Sequence, residues 1–274
     1  MNTSPRALHH LNCGTMCPRG ARLLAGEGGL LAPARLVCHC LLIEGAEGLV
    51  LVDTGFGTGD VRRPRQLGPP FNALVRPQLV AAETAHAQIL ARGFDPAEVR
   101  HIITTHLDLD HSGGLPDFPA AEVHLLGREL SAAMKPTLRE RTRYIGAHWA
   151  HNPRWVEHEP GGERWFGFES VQVLPGSDEE ILLIPLPGHT RGHTGVAVRD
   201  GEGWLLHCGD AYFHRHEVQT PPGCPPGLRV FEALTMIDGG LRRQNLERLR
   251  ELARAHAGEV SLVCSHDPAT LPGA

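Results

Sequence analysis

The chain has 274 residues, 41% hydrophobic and 21% charged. That balance supports a folded core without disulfide staples and excludes disordered or collagen-like chains. The formal net charge of −5 leaves no basic footprint for nucleic acid or anionic lipid.

No apolar run approaches the roughly 18 residues of a membrane span. The opening Met1–His10 has no apolar stretch of signal-peptide length. The expectation is a cytoplasmic protein, one domain over 1–274, with neither a nucleic acid nor a membrane as partner. Seven cysteines, an odd number, argue against a closed disulfide framework. Cys13 and Cys17 lack a second pair to complete a zinc knuckle. Cys38 and Cys40 alternate on a strand, and Cys208 and Cys264 lie in apolar strands, so all four read as packing residues.

Leu36–Ile43 and Leu49–Asp53 read as two strands joined by the turn Glu44–Gly48. Gly55–Pro77, rich in Gly, Pro and Arg, reads as a long loop of the kind that usually serves function. Val80–Arg92 has helical spacing, with Val80, Ala87, Leu90 and Ala91 on one face and Gly93 as its stop. Asp95–Glu98 resembles a capping box with Pro at the first helical position. His101–Thr105 is a β-branched strand that runs straight into His106-Leu-Asp-Leu-Asp-His111.

The second half repeats the plan. The strand Ile181–Leu186 leads into Pro187-Gly-His-Thr-Arg-Gly-His193, and Trp204–Cys208 leads into Gly209-Asp210. Asp238–His256 reads as a helix with Asp238 as its N-cap and Leu241, Leu249, Leu252 and Ala253 on one stripe. Glu259–Cys264 is a final strand before Ser265-His266-Asp267. Four times an apolar strand ends on a His or Asp, where a rigid sheet fixes side chains that loops leave accessible. Two β-layers packed face to face with helices outside would bring those ends together.

His106-x-Asp108-x-Asp110-His111 places four ligand-type side chains in six residues. Mixed imidazole and carboxylate donors suit Zn, Fe or Mn better than Mg or Ca. A loop this dense can serve two adjacent ions, and Ser112-Gly-Gly114 frees the backbone behind it for a tight turn.

This loop resembles the HxHxDH motif of the metallo-β-lactamase superfamily. Pro187–His193 is similar to its PGHTxGH element, Gly209-Asp210 to its bridging carboxylate, Ser265-His266-Asp267 to its last histidine, and Asp53-Thr-Gly55 to its early DTG. The order holds from about Leu36 to His266. Asp210-Ala-Tyr212 and the C-terminal Ser-His-Asp look most like the quorum-quenching N-acyl-homoserine lactonases and related small lactonases.

The resemblance implies an α/β, four-layer αββα sandwich and two divalent ions, with zinc foremost and iron or manganese as alternatives. Metal one would take His106, Asp108 and His189; metal two would take Asp110, His111 and His266; Asp210 would bridge them. A hydroxide held by the two ions would open a lactone or similar ester. Asp110 would orient it and pass a proton, and Tyr212 would either donate to the oxyanion or pack at the strand end. Asp53 would brace the metal loops. Related lactonases also imply a homodimer.

Asp108 departs from the pattern, which has His there. A carboxylate is a harder ligand, favours Fe or Mn, and makes a bound water less acidic. A diiron oxidoreductase therefore stands as an alternative. So does a thioesterase of the glyoxalase II kind, with the arginines of Asp238–His256 as a cationic rim, and so does a non-enzymatic binding protein. His193 reads as a hydrogen-bonding support, and His39, His101 and His207 as core or interface residues. His9, His10, His148, His151 and His158 read as surface or loop. His214 and His216 are candidates to face substrate. Gly55–Pro77 and Ala132–Pro160 are the expected substrate walls; Tyr144, Trp149 and Trp155 in the second read either as an apolar surface for an acyl chain or, equally, as core or dimer contacts.

Overall fold

The computed structural model describes residues 7–161, 164–174 and 180–272. The N-terminal reading of Met1–His10 lies partly outside them.

The first sheet has six strands in sequence order: β1 (Leu8–Met16), β2 (Leu36–Gly45), β3 (Gly48–Val52), β4 (Val99–Ile103), β5 (Glu122–Leu126) and β6 (Arg154–His158). β1, β2 and β3 pair antiparallel; β3 through β6 pair parallel. A small hairpin, β7 (Arg164–Trp165) with β8 (Phe168–Glu169), leads into the second sheet. That sheet contains β9 (Val171–Gln172), β10 (Ile181–Pro185), β11 (Thr194–Asp200), β12 (Gly203–His207) and β13 (Val260–Val263), ordered 13-12-11-10-9.

Alternation along the strands builds the layers, because residues two apart share a face. Leu41, Ile43, Val50 and Val52 meet Ile181, Leu183, Val196 and Val198 between the sheets. The opposite faces bury Leu42, Leu51 and Ile102 under Ile89 and Ala132 on one side, and Ile184, Leu186 and Leu206 under Leu246, Leu249 and Leu252 on the other. The covering helices are α4 (Ala85–Ala91), α6 (Gly127–Met134) and α8 (Gly239–Ala255). The architecture is thus the expected αββα sandwich. Each buried Leu, Ile or Val contributes about 1.5–3 kcal/mol. Among the described residues, no helix is long and apolar enough to cross a membrane.

Several local expectations need correction. The 80–92 helix begins only at Ala85, because Thr84 accepts a hydrogen bond from Ala87 N and caps it. Val80 and Leu90 are exposed, whereas Ala85 and Ile89 are buried, so the apolar stripe is not the expected one. Gly55–Pro77 is not a plain loop: it folds into α2 (Thr58–Arg62) and α3 (Pro69–Leu74) over a small core of Phe56, Leu67 and Val75. Leu8–Met16, Glu122–Leu126 and the helix α7 (Pro226–Thr235) were not anticipated. At the other end of the chain, Asp238 caps α8 by accepting from Gly240 N and Leu241 N.

The sheets meet at a seam. His39 N donates to Ser265 O (2.9 Å), His266 Nδ1 bonds Val37 O (2.8 Å), and Thr194 N donates to Thr105 O (2.9 Å). This stitching carries the strand ends of both sheets to one rim.

Candidate metal centre

The dense loop leaves β4 and enters one short turn of helix, α5 (Leu109–Ser112). β10 leads to His189, β12 to Asp210 and β13 to His266, so three ends of the second sheet converge on one loop of the first. The contacts are close: His106 Nε2 lies 3.5 Å from Asp108 Oδ2 and 3.8 Å from Asp210 Oδ2. His189 Nε2 lies 3.0 Å from Asp108 Oδ2 and 3.4 Å from Asp210 Oδ2. His111 Nε2 is 3.4 Å from Asp210 Oδ1, and His266 Nε2 is 3.2 Å from Asp210 Oδ2 and 3.7 Å from Asp110 Oδ2. Donor atoms of His106, Asp108 and His189 lie within 4.8 Å of one another, as do those of Asp110, His111 and His266. Asp210 stands between the two groups.

His106 Nε2, Asp108 Oδ1, His111 Nε2 and Asp210 Oδ1 are buried without a hydrogen-bond partner. A buried polar group left unpaired costs about 1–3 kcal/mol. Four such atoms turned toward one another are electrostatically costly unless cations sit among them. Their chemistry, nitrogen with carboxylate oxygen, fits divalent transition ions. The charges already lean that way. Burial alone would raise the Asp210 carboxyl, but His266 and His111 hold it well below the carboxylate range. Asp108 is likewise held down against burial by Arg143 and His106. Burial and the Arg143 charge lower His189 to about 4, leaving its ring neutral.

The supports lie behind the donors. Asp53 accepts from Thr105 N (2.7 Å), Thr105 Oγ1 (2.7 Å) and His111 Nδ1 (2.8 Å). It does so from a left-handed backbone conformation, φ 54°, a strain of about 1–3 kcal/mol that these bonds offset. His193 Nδ1 donates to Leu186 O (3.0 Å), so its Nε2 accepts from Asp210 N (2.9 Å). Gly209 has φ 54°, and a Cβ there would stand 2.6 Å from His193 Nε2, so only glycine fits before Asp210.

Two supports escaped the sequence reading. Glu129, fully buried on α6, accepts from Leu107 N (3.0 Å), Tyr144 Oη (3.1 Å), Thr190 Oγ1 (2.7 Å) and Gly192 N (3.0 Å), tying both metal loops together. Asp60, also fully buried, holds His148 Nε2 at 2.9 Å, while His148 Nδ1 reaches Ser112 Oγ at 3.3 Å. His148 is therefore a buried brace and not a surface residue. Neither support had a motif to announce it.

The centre opens into a cavity of about 650 Å³. Phe71, Leu74, Val75, Ile145, Phe231 and Leu234 give it an apolar wall; Arg139, Arg141 and Arg143 give it a cationic side. Arg143 NH1 lies 3.4 Å from Asp108 Oδ2 and donates to His189 O at 3.1 Å. The 66–75 and 139–145 stretches supply walls as expected, and α7 supplies a third. Of the aromatic residues expected there, Tyr144 lines the cavity, whereas Trp149 and Trp155 pack against the outer core of the first sheet.

Tyr212 does not reach the centre. It is fully buried in the core under α8 against Cys208, and burial pushes its hydroxyl well above the usual phenol range. The residue that turns into the cavity from this segment is Phe213. His214 lines a neighbouring groove and accepts from His216 N, and neither histidine lines the cavity.

Comparisons with known proteins agree with the fold. The family model of the metallo-beta-lactamase superfamily matches residues 33–266. A probable metallo-hydrolase of Mycobacterium tuberculosis is 44% identical over 96% of this chain and 81% of its own. An N-acyl homoserine lactonase, AttM, of Rhizobium johnstonii is 29% identical over 83% and 81%. A crystal structure of Bacillus thuringiensis AiiA with N-decanoyl-L-homoserine bound at its active site superposes with a TM-score of 0.72. It has 20% identity and covers 97% of this chain and 95% of that one.

Proposed function

We propose a function from one premise: the chain belongs to the metallo-β-lactamase superfamily of metallo-hydrolases. Its substrate is a lactone or similar carboxylic ester. His106, Asp108 and His189 hold one divalent ion, Asp110, His111 and His266 hold the other, and Asp210 lies between them. Zinc is the ion expected. When bound, such ions supply Lewis acidity and make a water acidic enough to lose its proton near neutral pH.

The chain's own groups do the rest. The apolar wall of Phe71, Leu74 and Phe231 takes the acyl chain and excludes water from the reacting carbonyl. Asp110, half-buried at the cavity floor, accepts the proton of the attacking water and returns one to the leaving oxygen. Arg143 takes the role that Tyr212 is too buried to fill: its guanidinium, facing the cavity beside Asp108, stabilises the negative charge that develops on the substrate.

The observation that carries this reading is the set of four unpaired buried donor atoms, of which those of Asp108 and Asp210 belong to residues lining the apolar-walled cavity. The likeness to the lactonase AttM and to AiiA with N-decanoyl-L-homoserine bound favours a lactone over other esters. The test pairs elemental analysis of protein purified without added metal with a panel of lactones, esters and thioesters. At least two equivalents of zinc with lactone turnover is the expected result. Thioester turnover alone would move the substrate to that class, and iron with oxygen uptake but no ester turnover would sink the hydrolase reading.

A further inference from the structure

We infer that the inner face of the first sheet carries a separate metal site, built from His101, Glu122 and His124, which takes a borderline divalent ion such as zinc. Strand register assembles it. His101 on β4 stands directly opposite Glu122 on β5, and Ile103 stands opposite His124. Residues two apart on a strand point to the same side, and cross-strand partners share a face. The three side chains therefore converge on one patch.

The distances are those of a ligand set. His101 Nδ1 lies 3.0 Å from His124 Nε2 and 3.7 Å from Glu122 Oε2. One donor atom from each residue falls within 4.8 Å of the other two. Two nitrogens on a tetrahedral ion with bonds of about 2.0–2.1 Å lie roughly 3.3 Å apart, so a small opening of the imidazole pair admits the ion. His124 also has the kind of support that metal-bound histidines show: its Nδ1 faces His158 Nε2 at 3.1 Å, and with the ring proton on Nδ1 donated to His158 the Nε2 lone pair is left to ligate. On binding, the His101 ring proton moves to Nε2, so both facing nitrogens present lone pairs.

The rings are in the neutral form that metals require. Burial, reinforced by His101 and His158, lowers His124 to about 3, and burial lowers His101 and His158 as well. Entry is open, because the Glu122 side chain is 39% exposed and that of His101 is 22% exposed. The nearest cationic group to Glu122 is Arg154, 4.0 Å away and itself mostly exposed, so the position between the ligands is not already filled by a guanidinium. The patch is distinct from the strand-end centre: it shares no residue with either donor group there.

The test is a zinc titration of the full chain against a competing chelator dye, run on wild type, His101→Ala and Glu122→Gln, with ester hydrolysis measured alongside. Wild type should bind one equivalent more than His101→Ala. Glu122→Gln should weaken that extra equivalent by roughly tenfold or more, and both variants should hydrolyse esters at the wild-type rate. Equal zinc content and affinity in all three proteins would overturn the site. Because Glu122 is exposed and Gln keeps its shape, this arm reads out even if His101→Ala folds poorly.

Discussion

The two halves of the sandwich supply the centre in opposite ways. The first sheet delivers His106, Asp108, Asp110 and His111 from one continuous stretch, held by Asp53, by Glu129 and, through His148, by Asp60. The second delivers His189, Asp210 and His266 singly, one per strand end, each tied to a different part of the chain: Arg143 to His189 O, His193 Nε2 to Asp210 N, and Val37 O to His266 Nδ1. A local loop can be pre-organised by its own turns, whereas scattered residues depend on the sheet register for their position. The first half should therefore tolerate loss of a support better than the second tolerates loss of a donor.

The sharpest way to break that contrast is Asp210→Ala, which removes the carboxylate within reach of His106, His111, His189 and His266. Bound metal and ester turnover should fall together by more than about 100-fold, beyond what loss of a supporting residue costs. Full occupancy with full turnover would refute the bridging position. Glu129→Gln tests the tie between the halves, since Glu129 holds Leu107 of the first and Thr190 and Gly192 of the second. One acceptor oxygen becomes a donor facing Thr190 and Gly192 or Leu107 and Tyr144, so metal affinity should drop about 10–100-fold. A competition titration reads this directly, and an unchanged affinity would show that the loop holds itself.

The seam between the halves gives a pH dependence. Burial, with His207 and His10 nearby, lowers His39 to about 2 from an ordinary 6.5. A histidine depressed in the folded state contributes stability that is complete above pH 6.5 and is lost as pH falls toward the folded value. Each unit of acidification below 6.5 should cost about 1.4 kcal/mol for such a group. Urea midpoints for wild type and His39→Gln between pH 7 and 5 would show it: the slope should flatten in the variant. The smallest expected effect is Tyr212→Phe. Its hydroxyl meets Cys208 within the core, so stability should change by about 1 kcal/mol and turnover by less than about twofold. A fall of 100-fold or more, the size seen when an oxyanion donor is removed, would restore Tyr212 to the chemistry.

The separation between what was legible and what was not follows from range. Apolar strands that end in His or Asp, the dense loop, and the αββα layering are written in local periodicity and spacing, so the sequence by itself determined the fold class and the candidate donors. The partners of those donors were not legible. Glu129 looks like any helix carboxylate until α6 packs against two loops some 20 and 60 residues away in the chain, and His148 looks like a surface residue until Asp60 meets it. Tyr212 sat two positions from Asp210 and pointed the other way, because the chain after Gly209 turns its side chain under α8 and leaves Phe213 facing the cavity. Only tertiary structure decides which distant group fills a buried hydrogen-bond vacancy, since that choice depends on packing between layers and leaves no periodic trace along the chain.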